Sequence, residues 1–270
     1  MRFSILPRGG GTSLAGQTLG EAVIIDCSPN LNNIILIDPI KKEAIVQPGA
    51  ILDQINFAAK KHSLKFGPEV STGTHATIGG MIGNCSAGLR SLRYGMTDEH
   101  VLGIDAIFEN GNCLTLEKNS TDKDVQNLTR KIGKIVLENK KLIRDVFPPF
   151  PKIRRNVAGY RLDRILNQAE MDTTNFSMVN LATLLCGSEG TLALTKRSRI
   201  GLVDLPDITK LTILPFASVY DALNSVGDLL QTNPSAIELV DAKIISASLT
   251  HPSYSILSQK LPKIENQKTN

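Results

Sequence analysis

Apolar and polar positions change period several times along this chain, and each change marks an element. Val23-Ile24-Ile25-Asp26 is a short apolar run and predicts a buried strand. Residues 34–37 and 44–46 flank Asp38-Pro39 and predict a β-hairpin. After Pro48-Gly49, the residues Ile51, Leu52, Ile55, Ala58, Ala59 and His62 recur at helical spacing. His62 falls at the end of that helix, where a histidine caps or faces solvent. Residues 101–108 and 113–116 bracket Asn110-Gly111, a strong hairpin turn. Val125, Leu128, Ile132, Ile135, Val136, Leu142 and Ile143 predict one helix over 122–143 with these residues on one face. Phe147-Pro148-Pro149-Phe150-Pro151 stops it.

Residues 156–162 read as loop, and 176–186 as an apolar run that ends in a turn and then a strand. Beyond Pro206 the pattern changes. Residues 211–214 read as a strand, and Ser218 caps a helix striped by Val219, Ala222, Leu223, Val226, Leu229 and Leu230. Residues 236–240 read as another strand and 241–248 as the start of a helix, followed by a polar tail over 263–270. This β-α-β-α order predicts a division into residues 1–206 and 207–270. The length of 270 residues suggests about two domains as well.

The stretches that interrupt these periods carry the chemistry. Arg8-Gly9-Gly10-Gly11-Thr12-Ser13-Leu14-Ala15-Gly16-Gln17-Thr18 lies between two apolar runs. Consecutive glycines cost backbone entropy, so a chain that keeps them needs positive φ angles or a bare backbone. Successive N–H groups in such a loop form a nest that attracts anions. Arg8 adds a fixed charge, and Thr12 and Ser13 add hydroxyl donors. This reads as a diphosphate cradle for a dinucleotide, with charge-assisted hydrogen bonds of roughly 1.5–3 kcal/mol each; a glycine hairpin without a ligand is the alternative. From Gly11 the loop is one residue from a P-loop, but Gln17 stands where a P-loop has its phosphate-binding lysine, which argues against an ATPase. The spacing also fails G-x-G-x-x-G, and no helical run follows directly, which argues against a Rossmann site.

A second stretch runs from Phe66 through Pro68, Ser71, Thr77, Ile78, Gly79, Gly80, Asn84 and Gly88 to Tyr94-Gly95. It is rich in Gly, Ser and Thr, yet Ile78, Met81 and Ile82 break it at helical spacing, so it is not a linker. Gly79-Gly80 lets a ligand approach the main chain, and Asn84 offers both a donor and an acceptor. Gly187-Ser188-Glu189-Gly190-Thr191-Leu192 is a third small, hydroxyl-bearing turn, suited to a cofactor edge or to ordinary packing at a helix stop.

Composition removes several alternatives. Hydrophobic residues make up 41% and charged residues 21% of the chain, as in ordinary globular proteins. The net charge of +4 includes no basic block, so nothing points to nucleic acid. Arg154, Arg155, Arg161 and Arg164 form the densest basic group, read as a solvated face or rim salt bridges before anion binding. Cys27, Cys85, Cys113 and Cys186 show no C-x-x-C pair, which argues against structural zinc, an iron–sulfur cluster or a disulfide framework and fits a reducing cytoplasm. No apolar run reaches membrane-spanning length. These features predict a soluble, cytoplasmic protein.

RGGGTSLAGQT, PEVSTGTHATIGGMIGNCSAG, RYGMTDEHVLG, NVAGY and GSEGTL occur in the order in which they stand in the vanillyl-alcohol oxidase and p-cresol methylhydroxylase superfamily. The chain most closely resembles that superfamily's FAD-linked D-2-hydroxyacid dehydrogenases, which oxidise glycolate, D-lactate or D-2-hydroxyglutarate. The resemblance covers about Pro7 to Asp241. It implies an α+β fold: a two-subdomain FAD-binding domain over residues 1–206, lacking its N-terminal part, and the start of a truncated α/β substrate or cap domain over 207–270.

By that resemblance, Arg8, Gly9, Gly10, Gly11, Thr12 and Ser13 hold the FAD pyrophosphate. Pro68, Ser71, Thr77, Ile78, Gly79, Gly80, Asn84 and Gly88 line the flavin and ribityl chain, with Tyr94 and Gly95 nearby. Ile104 contacts FAD through its backbone, and Gly190, Thr191 and Leu192 close one side. Relatives with covalent flavin carry histidine where this chain has Thr12, so the resemblance implies non-covalent FAD. The flavin accepts hydride from a small 2-hydroxy acid, giving the 2-oxo acid. Relatives carry a His-x-Gly-Asp-Gly-Asn-x-His-like stretch, with metal ligands in several members, that is absent here. His75, His100 and His251 are isolated and read as surface or packing residues, so no metal site is expected and the catalytic residues are expected outside this chain. The resemblance leaves three readings: part of a complete dehydrogenase, a non-catalytic FAD-binding subunit that needs a complementary chain, or an inactive truncated remnant. It names no electron acceptor.

Overall fold

Two sheets organise the first 205 residues of this computed structural model, which describes residues 4–147, 156–157, 159–248 and 251. In chain order come β1 (Ile5–Arg8), β2 (Val23–Asp26), β3 (Ile34–Asp38), β4 (Glu43–Val46), α1 (Leu52–Lys60), β5 (Leu64–Phe66) and α2 (Ile78–Gly83). There follow α3 (Ser91–Tyr94), a 3-10 turn at Thr97–Glu99, β6 (Val101–Ile107), β7 (Cys113–Glu117), α4 (Lys123–Glu138), α5 (Lys140–Val146) and α6 (Leu162–Met171). Then come α7 (Ala182–Leu185), β8 (Leu194–Asp204), α8 (Val219–Asn224), α9 (Val226–Gln231) and α10 (Ala242–Ser248). The chain divides into two compact units, Met1–Leu205 and Pro206–Asn270.

β8 is the spine of the larger sheet. Its 11 residues pair antiparallel with β4 on one side and β6 on the other, and its last residues pair with β5. The order is β3-β4-β8-β6-β7. Ser198, Ile200 and Leu202 are buried in strict alternation, as a strand with one face on a core requires. On that face β8 and β6 meet a core that includes Phe66, Leu52, Ile55, Ile78, Met81, Ile82 and Ile104. Gly103 stands in register with both Arg199 and Glu117, so the Arg199 guanidinium crosses β6 unobstructed to Glu117 at 2.7 Å and also reaches Glu43 at 3.2 Å.

The hairpins β3–β4 and β6–β7 form as the sequence implies, with Gly111 at φ +82° in the second turn. Several other expectations fail for identifiable reasons. β2 is a strand but is largely exposed, because it pairs only with β1, in parallel, in a two-stranded sheet. The helix over 122–143 is broken at Asn139 into α4 and α5. Its buried stripe is Val125, Thr129, Gly133 and Val136, while Ile135 and Leu142 are 56% and 63% exposed. Val125, Val136 and Ile143 of the expected face are buried and Leu128 and Ile132 pack against the core, but the pattern missed the contact positions occupied by a threonine and a glycine. Leu162, read as loop, begins the unanticipated helix α6, which buries Ile165, Leu166 and Ala169.

In the second unit α8 and α9 follow the capping Ser218, whose hydroxyl accepts from the Asp221 N–H at 3.1 Å, but 211–214 and 236–240 form no strands. A strand needs a neighbour for its backbone groups, and these two segments pair with none among the described residues. No described residue from 206 onward is buried. The end of α5 agrees with the stop at Phe147, and the prolines that follow it lie outside the described residues.

Gly133 illustrates how tightly α4 is packed. A Cβ there would meet the ring of Phe176, at 2.6 Å from Cγ, and Phe176 is held at φ +56°, a rare conformation for an aromatic residue. Gly→Ala in a helix interior normally stabilises by about 1 kcal/mol. Here overpacking reverses the sign, and Gly133→Ala should destabilise by about 1–3 kcal/mol, read as a lower melting temperature. Asp172 closes the segment after α6: it accepts from the Ser177 hydroxyl at 2.6 Å and from the N–H groups of Thr174, Asn175 and Ser177, which lower its pKa to about 2. The depressed value gives stability that is present above the unfolded pKa of 3.8 and lost as pH falls through it toward 2. Asp172→Asn should therefore lower the melting temperature at pH 7, and the difference from the parent should vanish near pH 2.

Candidate functional site

The short helix α2 gathers the glycine-bearing stretches. Its N-cap is Thr77, whose hydroxyl accepts from Gly80 N–H at 3.3 Å, and Ile78, Met81 and Ile82 fix its inner face in the core. The loop after β1 crosses the beginning of this helix. A Cβ on Gly9 would collide with the Thr77 hydroxyl, and one on Gly10 with the His75 carbonyl oxygen. Glycine is required at both positions by contact with protein, not by backbone angle. Gly11 differs: its φ is +65°, and the Arg8 guanidinium lies over it, 3.1 Å from where a Cβ would stand.

At the far end of α2 the 187–192 turn takes over the helix carbonyls. Gly187 N–H donates to Ile82 O and Glu189 N–H to Gly83 O, both at 2.9 Å. Gly190, at φ +77°, lies so close to Pro7 that a Cβ would stand 2.6 Å from Pro7 Cγ. Gln17, at the end of the glycine loop, lies near enough to Glu189 to lower its pKa, but burial outweighs that influence and raises it. The loop thus runs from one end of the helix to the other.

The donor inventory shows what this arrangement can hold. Among the described residues no acceptor meets the N–H groups of Gly9, Gly10, Gly11, Thr12 or Ser13, and no carboxylate comes within 4.0 Å of the Arg8 guanidinium. Gly10, Gly11 and Thr12 are exposed. A run of open amides beside a half-buried guanidinium offers the donors that an anion such as the pyrophosphate of a dinucleotide needs.

The other sequence-derived residues fall around the same helix, and some are already committed to the protein. Ile78 and Gly79 donate their N–H groups to Ala50 O (2.9 Å) and Pro48 O (2.7 Å), and the Ile78 side chain is wholly buried. Asn84 ends α2 and accepts from the Ser86 hydroxyl at 2.5 Å. Gly88 is buried against the Glu69 carbonyl, next to the buried Pro68, while Ser71 is exposed. Tyr94 carries the Lys65 ammonium 4.6 Å above its ring, and Gly95, at φ +80°, leaves room for the Glu99 carboxyl. Thr191 and Leu192 are exposed on the turn. Ile104 stands apart: it is buried within β6, in register with Leu116 of β7 and Ser198 of β8. His75 is exposed, and His100 is held at 2.6 Å from Tyr94 O with its ring edge-on to Phe66.

Of the basic group, Arg164 makes the rim salt bridges that one of its two readings expects, while Arg161 is an interior residue. Arg161 is 2% exposed and binds Asp98 at 2.8 Å and Asp163 at 3.0 Å, while Arg164 reaches Asp98 at 3.3 Å and Glu99 at 3.2 Å. Burial opposes the Arg161 charge, but the hydrogen bonds it donates to Asp163 and the field of both carboxylates outweigh it and raise the pKa. The same burial pushes the adjacent Cys85 thiol up to about 11. Arg154 and Arg155 lie outside the described residues. Composition alone gave no sign that Arg161 is an interior residue; the signal was the acidic Asp98-Glu99 pair in RYGMTDEHVLG.

Comparison with known proteins agrees with this geometry. Residues 1–117 match the family of the FAD binding domain. The chain is 32% identical over 285 residues to D-2-hydroxyglutarate dehydrogenase of Escherichia coli (strain K12), covering 98% of this chain and 26% of that protein. It is 29% identical to glycolate oxidase subunit GlcD of Bacillus subtilis (strain 168), over 89% of this chain and 41% of the relative. It thus spans about a quarter of the dehydrogenase and about two fifths of the oxidase subunit. Two structures of alkyldihydroxyacetonephosphate synthase share the fold at 17% and 16% identity, with TM-scores of 0.55 and 0.61, over 86% and 95% of this chain and 34% and 39% of theirs. The architecture is the p-cresol methylhydroxylase-type FAD-binding fold, and the cofactor is FAD.

Both glycine contacts can be tested on the cofactor. Gly10→Ala drives a Cβ into the His75 carbonyl and displaces the open amides, and Gly11→Ala strains a positive φ. Each should weaken FAD binding at least tenfold in a fluorescence titration, while far-UV circular dichroism shows the fold retained.

Proposed function

We propose that this relative of the FAD-linked D-2-hydroxyacid dehydrogenases holds FAD without a covalent bond and forms part of an oxidoreductase that converts a small D-2-hydroxy acid to the 2-oxo acid. The observation that carries the reading is the run of unpartnered amides from Gly9 to Ser13 beside Arg8. Arg8 and the loop amides would neutralise and orient the pyrophosphate. The backbone and small side chains from Pro68 to Gly88, together with Tyr94, Gly95 and the Gly190–Leu192 turn, would enclose the ribityl chain and flavin. Ile104 would contribute only through its main chain, since its side chain is in the core. Bound there, FAD supplies the acceptor for hydride from the carbon that bears the substrate hydroxyl.

We assign residues 1–206 to the FAD-holding domain and 207–270 to the start of the substrate domain. The groups that bind the substrate carboxylate and take the hydroxyl proton are assigned to polypeptide outside this chain, consistent with its covering 26% of the dehydrogenase. On this reading the chain works with a complementary polypeptide. Thr12, in place of a flavin-linking histidine, supports non-covalent attachment. The free cysteines Cys27, Cys85, Cys113 and Cys186 support a reducing, cytoplasmic setting. Among the described residues no helix is long and apolar enough to cross a membrane.

The test is spectroscopic. The purified chain mixed with FAD should turn yellow, and acid precipitation should leave the colour in the supernatant. Supplied with the polypeptide that carries the substrate groups, the bound flavin should bleach anaerobically on addition of D-2-hydroxyglutarate, D-lactate or glycolate. Bleaching with none of them would overturn the activity, and a colourless protein in excess FAD would overturn the cofactor site as well.

A further inference from the structure

The NVAGY motif has no part in the site so far, yet its last residues lie alongside the 187–192 turn. The Gly159 carbonyl oxygen packs against Gly187, where a Cβ would stand 2.7 Å from it. One residue on, the Tyr160 hydroxyl lies 2.9 Å from Thr191 Oγ1. Thr191 Oγ1–H is already donated to Ser188 O at 2.6 Å, so Tyr160 must be the donor to Thr191. The chain of bonds therefore has one direction, from the phenol through the threonine hydroxyl to a main-chain carbonyl. A carbonyl cannot take up the proton, so this chain does not serve a general base. What it does is fix geometry.

The next residue supplies the anchor. Arg161 is 2% exposed and pinned by Asp98 and Asp163, and removing one partner of such a buried pair is strongly destabilising. Tyr160 itself is 40% exposed. A rigid root thus carries an accessible phenol that bonds the turn. We propose that Tyr160, rooted by Arg161, is the positioning residue that holds the Ser188–Leu192 turn against the flavin half of FAD. This rests on the reading above that the turn closes one side of the cofactor site.

The experiment compares the full chain with Tyr160→Phe, Thr191→Val and the double variant. Each single change keeps shape and removes one hydroxyl, so each should fold. Hydrogen exchange on flavin-free protein should show faster exchange of the 188–192 amides in Tyr160→Phe, with the amides of β6 and β8 unaffected. FAD affinity should fall about fivefold to tenfold in Tyr160→Phe and at least as far in Thr191→Val, which also loses the bond to Ser188 O, and the double variant should be no weaker than Thr191→Val alone, because the Tyr160–Thr191 bond is already gone there. ADP, which carries the pyrophosphate without the flavin, should bind all of them within twofold of the parent. A general loosening of the fold would reduce ADP and FAD binding together and would overturn the proposal. Unchanged exchange in the turn, or additive losses in the double variant, would also overturn it. Should the parent bind no FAD, the proposed function fails, and a brace serving FAD fails with it whatever the exchange data show. Retained FAD binding with an unaffected Tyr160→Phe variant sinks this inference alone.

Discussion

The contact on which the site depends is the approach of a bare backbone to a six-residue helix. Gly9 and Gly10 rest on Thr77 and the His75 carbonyl with no room for a methyl group. The helix beneath them is held by Ile78, Met81 and Ile82 in the core, and its carbonyls are taken at the other end by Gly187 and Glu189. Interiors are close-packed and do not deform gradually. The position of the open amides is therefore set by the sheet through the helix, and not by the loop's own preferences. A flexible glycine loop becomes a rigid one by being pressed against something that cannot move.

A second fixed point lies in the interior, where Arg161 meets Asp98 and Asp163. Buried pairs of this kind contribute little net stability, because desolvation cancels much of the attraction. Their effect is on geometry: a guanidinium with its fork filled admits one orientation. Here that orientation joins the segment before α6 to the 3-10 turn at Thr97–Glu99, whose Thr97 hydroxyl donates to Ser86 O at 2.8 Å, three residues past the end of α2. Both fixed points converge on the same short helix.

Much of this was legible in the residues. The glycine stretches, the two hairpins, α1 and the start of α4 follow from turn chemistry and periodicity, and the stretches gather as their small residues implied. What escaped the sequence depended on partners far along the chain. The reason Gly9 must be glycine is Thr77, 68 positions later, and no local pattern encodes it. Arg161 looks like any surface arginine until Asp98 is placed beside it. The α4 stripe was read incompletely because Gly133 makes room for Phe176, so an apolar contact runs through a position with no side chain. The segments at 211–214 and 236–240 have strand-like composition, but composition does not supply a neighbouring strand.

That last point bears on how the chain would behave in a calorimeter. From residue 206 onward nothing described is buried, and the helices α8 and α9 are six residues each, below the length at which an isolated helix holds its shape in water. Heat capacity changes on unfolding track the apolar area uncovered. Nearly all of the heat absorbed on melting must then come from the first unit. The described residues of the second contribute almost none.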